Sequence, residues 1–315
     1  QKYVMIRTAF QTMHPFGQFI FFCCLILTGM GLASGLGLFL VTQWTGESML
    51  EAMASMSASD SPNGRTYNLI LNSINQLLSF GAAAFLARYL FKGQTLVTGR
   101  MPQSFGWIAW GIVFAWCAQP LIDVTYRLNA LCMELLPTAW VTQADLLEKM
   151  AQKVTVSLLS FDDAWHFPAT LVAVAVLPAI CEEMAFRGVL QPLFARWTRS
   201  IHAGIWISAL LFSAIHLQFH GFLPRMILGA GLGYLVHYSG SLWPAIAAHF
   251  LNNAMAVCLA AWFGAEWVQE EMVEMGAWEW SDYLSAAFTI PLVWIGVRWM
   301  QKRVAPSKHH PTISS

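Results

Sequence analysis

The chain has 315 residues, 57% hydrophobic and 11% charged, where ordinary soluble domains carry about a quarter charged residues. That much apolar surface cannot be hidden in one soluble core, which excludes a soluble globule. The formal net charge of zero leaves no basic face for nucleic acid, and six cysteines without a CxxC pair argue against a disulfide framework or a cysteine-ligated zinc.

The apolar residues fall into long runs, and a run of about 20 spans a bilayer as a helix. The sequence predicts an all-α, polytopic transmembrane bundle of about eight spans. The first covers Gly17–Thr42. It is too long for a cleavable signal sequence and is expected to double as the insertion signal. The second covers Tyr67–Phe91 and the third Phe105–Tyr126. The stretch Asn129–Val154 is too polar to span. It reads as an interfacial helix between spans three and four, with Leu131, Leu135, Leu146, Leu147 and Met150 on its apolar side. The fourth span covers Phe167–Phe194, the fifth Ala203–Phe219, a glycine-rich sixth Phe222–Tyr238 and the seventh Leu242–Phe263. Glu266–Asp282 mixes tryptophan with acids and is expected at an interface, before an eighth span over Tyr283–Met300 and a disordered tail from Pro306. Glycine pairs four residues apart, Gly31 with Gly35 and Gly229 with Gly233, predict close helix approach.

These elements divide the chain into N-terminal helices with the interfacial segment (1–166), a core (167–264), and the acidic loop, last span and tail (265–315). Lys2, Arg7, Arg88, Lys92, Arg100, Arg196, Arg199, Arg298, Lys302 and Arg303 lie on one side of this topology. The opposite loops are acidic or mixed. The positive-inside rule then puts both termini in the cytoplasm, and the absence of long extensions points to a bacterial inner membrane.

Charged side chains in a span cost at least roughly 2.5–3.5 kcal/mol, so those present face partners or cavities. They cluster in the core. The fourth span contains Glu182-Glu183-Met-Ala-Phe-Arg187. Glu183 and Arg187 share a helix face and can pair, whereas Glu182 points about 100° away and stays available. Pro178 lacks the N–H for its helical bond, so a kink is expected one turn earlier. The fifth span ends in Phe212-Ser-Ala-Ile-His216, and the seventh holds His249-Phe-Leu-Asn252-Asn253. Taken singly, a histidine, an asparagine or a Glu–Arg pair is more often helix glue. Three spans each bearing groups suited to hydrolysis point to one buried site.

The ordered set EExxxR, FxxxH and HxxxN resembles the CPBP (Abi) family, which includes the CAAX prenyl endopeptidases and bacteriocin-processing homologues. The resemblance covers Pro168–Gly264 and leaves the N-terminal half unmatched. It implies an intramembrane endopeptidase acting on a membrane-anchored, prenylated or otherwise lipid-bound peptide or protein. By resemblance, Glu182 and His216 bind and activate water, and His249 and Asn253 stabilise the oxyanion. Glu183, Arg187 and Phe212 support them. A glutamate in an apolar pocket suits a general base, and His and Asn supply oxyanion donors. A zinc on Glu182, His216 and His249 is open as a second route. No HExxH helix is present, and the metal-free route is preferred. The alternatives are a non-catalytic relative acting in bacteriocin immunity or as a scaffold, and a proton-coupled transporter. The predicted depths of His216 and His249 differ, which calls for tilt or a re-entrant sixth segment.

Overall fold

In a computed structural model the described part of the chain comprises residues 9–58, 61–91, 101–102, 104–161 and 163–267, with part of a helix between 287 and 302. These residues fold into helices, and no strand occurs among them. Helix α1 (Pro15–Thr45) starts where His14 accepts the Phe16 N–H and Pro15 presets the first turn, and it stops at Gly46 in the left-handed conformation. Helix α2 (Met49–Ser57) is a short cap closed by a reciprocal capping box between Ser48 and Glu51. The two Ser48 hydrogen bonds hold the Glu51 carboxyl below its usual pKa. Helix α3 (Asn63–Leu90) follows. Next come α4 (Gly106–Cys117) and α5 (Gln119–Glu134), bent by 45° against each other where Pro120 interrupts the hydrogen-bond ladder. Helix α6 (Thr138–Leu159) begins after Pro137. Helices α7 (His166–Thr198), α8 (Ile201–Ala214), α9 (Phe222–Ser239) and α10 (Trp243–Phe263) complete the core.

Among the described residues four helices, α1, α3, α7 and α10, are long and apolar enough to cross a membrane, and the bent α4–α5 pair passes the same test only when taken together, as a broken span or a re-entrant loop. At 14 residues, α8 reaches only about 21 Å, short of the ~30 Å hydrocarbon core. The expected eighth span is described only in part, from 287 onward, where Trp299 packs on Trp107 and Trp110 of α4. The acidic segment beyond Trp267 and the tail from Pro306 lie outside the described residues.

The packing is inverted relative to a soluble protein. Large apolar side chains such as Leu27, Phe85 and Trp262 stand uncovered on the outside. Gln18, Gln76, Glu182, Glu183, Arg187, Gln191 and His249 are buried. A bilayer is the solvent that makes this arrangement stable. Helix α7 is the most enclosed span, while α1 lies at the periphery.

The expected interfacial segment is two pieces, the end of α5 and all of α6. Leu131, Leu135, Leu146 and Met150 are uncovered by protein, as an apolar side facing lipid requires. The expected close approach at Gly31 and Gly35 is not found. A Cβ at either would meet open space. The face of α1 that meets α3 carries Gly29 and Gly37, with Gly29 pressed against the backbone of Leu78 and Ser79. Gly229 and Gly233 do lie in tight contact, facing α7 and α8.

Candidate active site

Helix α7 carries the acidic pair between two π-helical turns, Leu171–Val176 and Phe186–Leu190. Each precedes a proline, Pro178 or Pro192, at the start of the next α-helical stretch. The kink expected at Pro178 therefore takes the form of a widened turn, which absorbs the missing N–H without breaking the helix.

Arg187 is buried to 1% exposure and fully engaged. Its Nη1 donates to Glu183 Oε1 at 2.6 Å and its Nη2 to the Gly229 carbonyl of α9 at 2.8 Å. Its guanidinium lies 4.7 Å from the centre of the Phe212 ring, a cation–π contact. One turn further along α7, Gln191 repeats the pattern by donating to the Gly233 carbonyl at 3.1 Å. The two glycines of α9 are thus the seats of two α7 side chains. A Cβ at Gly229 would crowd the Arg187 guanidinium and Phe212, and one at Gly233 would meet Gln191 Oε1 at 2.8 Å.

Glu183 Oε1 also receives His249 Nδ1 of α10 at 2.9 Å. A proton on Nδ1 makes that bond, and it leaves Nε2 directed to the other side, 3.9 Å from Glu182 Oε2. His216 follows the last turn of α8, and its Nδ1 lies 2.7 Å from the Phe212 carbonyl. A carbonyl only accepts, so Nδ1 carries the proton and Nε2 offers a lone pair. The Phe212 ring is the common wall, 5.1 Å from the His216 ring and 5.8 Å from the His249 ring, the latter at a right angle.

Asn253 lies one turn beyond His249. Its amide donates to the Val174 carbonyl in the first π turn of α7 at 3.0 Å, leaving one N–H free. Its oxygen accepts from Asn252 at 3.3 Å. The structure therefore joins Glu182, Glu183, Arg187, Phe212, His216 and His249 in one chain of contacts, His216 through Phe212, and ties Asn253 to α7 backbone.

One residue of the cluster comes from outside the core. Gln76 of α3 donates from Nε2 to Glu182 Oε1 at 2.8 Å, and both side chains are buried. The sequence carried a signal for it. Asn68, Asn72 and Gln76 stand four residues apart in an apolar helix, and all three donate inward, Asn72 to the Ala173 carbonyl at 2.8 Å and Asn68 to Ser157 at 3.0 Å. Among the described residues, no three His, Cys, Asp or Glu side chains are grouped so as to hold a metal ion. As they stand, the donors of Glu182, His216 and His249 do not form a three-ligand zinc site.

Comparison with known proteins places the same stretch. The model of the Rce1-like family, described as type II CAAX prenyl endopeptidase Rce1-like, matches residues 164–255. The uncharacterized protein YpbD of Bacillus subtilis (strain 168) is 30% identical over 92 residues, which are 28% of this chain and 44% of that protein. The chain thus spans less than half the length of that relative. No solved structure matches. The chain therefore carries, over residues 164–255, an Rce1-like segment that holds Glu182, Glu183, Arg187, Phe212, His216, His249 and Asn253.

Proposed function

We propose that the protein is an intramembrane endopeptidase that hydrolyses a peptide bond of a membrane-associated protein or peptide, with a prenylated C-terminal CaaX segment as substrate. The observation that carries this reading is the buried Glu182–His249 pair, with half-buried His216 brought beside it by their shared contact with Phe212. Glu182 Oε2 lies 3.9 Å from His249 Nε2, and His216, with its Nε2 lone pair open, packs on the Phe212 ring that His249 also meets. A water held there has two acceptors for its protons, which is what general-base catalysis requires.

In this reading Glu182 takes a proton from water as the water oxygen bonds to the scissile carbonyl carbon. His216 accepts the water's other hydrogen bond and fixes its approach. The resulting oxyanion is met by His249 Nε2 in its imidazolium form, whose charge Glu183 balances at Nδ1, and by the free N–H of Asn253. Glu182 then returns the proton to the leaving nitrogen as the C–N bond breaks. The route needs no metal. A prenyl chain adds about 0.8 kcal/mol of membrane affinity per buried CH₂, so a lipid-anchored substrate reaches this depth from the bilayer.

The test is turnover of a fluorogenic peptide ending in S-prenyl cysteine and three further residues, by the full chain in lipid nanodiscs. Glu182→Gln is expected to lower kcat by at least about 100-fold, the lower range for a general base. Equal cleavage by the variant and the parent, or none by either, would overturn the proposal. A turnover that a chelator removes and zinc restores would reinstate the metal route.

A further inference from the structure

We infer that Gln76, outside the Rce1-like segment, is a positioning residue of the catalytic group, holding the Glu182 carboxylate in place with one oxygen free for the attacking water. The inference rests on the endopeptidase reading and adds to it a residue from the N-terminal half.

Three observations carry it. First, Gln76 Nε2 donates to Glu182 Oε1 at 2.8 Å, and Oε2 is the atom that lies towards His249. The amide thus occupies one carboxylate oxygen and leaves the other for chemistry. A hydrogen bond to an ionised acceptor is about twice as strong as a neutral one, so it fixes the rotamer as well as the position. Second, Gln76 Oε1 is buried and has no hydrogen-bond partner among the described residues, while the residue is 7% exposed. Buried amide oxygens are almost always satisfied, so this one calls for a partner that is not protein. A second water supplies it, because the attacking water's two hydrogens already go to Glu182 and His216. Third, the local backbone is built for the contact. Gln76 opens the π turn Gln76–Ala82, and Gly81 on that turn lets α3 close on Cys181, where a Cβ would sit 3.1 Å from the sulfur. Cys181 is the neighbour of Glu182, so the approach delivers the amide to the acid. Widened turns of this kind recur at functional sites.

Asn72 provides the internal control. It lies one turn away on the same face of α3 and also binds α7, but at the Ala173 carbonyl and not at a carboxylate. Loss of Asn72 loosens the same helix pair without touching Glu182.

The experiment measures kcat and KM of the full chain in nanodiscs on the prenylated fluorogenic peptide. Gln76→Leu is expected to lower kcat roughly 10- to 100-fold with KM within about twofold, the size of one hydrogen bond to a charged group. Gln76→Ala leaves room for water to replace the amide and is expected to lose less. Asn72→Leu is expected to keep kcat within about twofold of the parent, because no charged hydrogen bond is lost. The inference is overturned if both Gln76 variants retain the parental kcat, if their defect lies in KM, or if Asn72→Leu loses as much kcat as Gln76→Leu. Failure of the underlying reading is distinct: there, parent and Glu182→Gln behave alike.

Discussion

Glu183 Oε1 accepts from Arg187 Nη1 and His249 Nδ1 at once, so a single buried oxygen joins α7 to α10 and, through Arg187, to α9. Removing such a group costs more than the bonds it makes, because its cation stays behind without water. Glu183→Leu is expected to destabilise the fold by about 3–5 kcal/mol, seen as a lowered melting temperature in detergent. Arg187→Lys is not a rescue, since an ammonium cannot serve Glu183, Gly229 and the Phe212 face together. Phe212 is the other hinge of the group, touching Phe186, Arg187, His216 and His249. Phe212→Ala is expected to cost about 3–5 kcal/mol by cavity formation. Phe212→Leu keeps most of the bulk, so its expected signature is a fall in kcat with little change in melting, because the ring against which both imidazoles pack is gone.

At the scale of helices, close contact is carried by particular glycines. A Cβ at Gly111 of α4 would run into the Pro244 carbonyl of α10, whereas one at Gly31 of α1 would meet nothing. Gly111→Ala is expected to destabilise by about 1–3 kcal/mol, as overpacking does. Gly31→Ala is expected to be neutral or stabilising by up to ~1 kcal/mol, from helix propensity alone. Thermal unfolding of the two variants side by side checks the contrast. The four-residue spacing of Gly31 and Gly35 is as good a packing signal as that of Gly229 and Gly233. Only the azimuth of each helix against its neighbours separates them, and a one-dimensional pattern does not hold that angle. The same is true of Gln76. Its place in the stripe Asn68, Asn72, Gln76 is visible as a polar edge, but not that the edge ends on Glu182.

For the whole molecule, the decisive feature is an apolar exterior around a core that keeps its few charged and amide side chains inside. Leu27, 66% exposed near the middle of α1, belongs to that exterior. Leu27→Lys is expected to disfavour insertion by roughly 3 kcal/mol, measured as the inserted fraction of the protein in a translocation assay. The sequence by itself determined that this chain is a membrane-embedded helical bundle, because apolar run length against bilayer thickness needs no tertiary information. It also determined the Glu183–Arg187 pair, because i,i+4 neighbours on one helix meet whatever surrounds them. Tertiary structure alone decided that side chains of α7, α8 and α10 converge on the Phe212 ring, that Asn253 spends one N–H on the Val174 carbonyl, and that α3 supplies Gln76. Those contacts join residues far apart in the chain, so they follow from how helices rotate and cross, and neighbouring residues do not encode that locally.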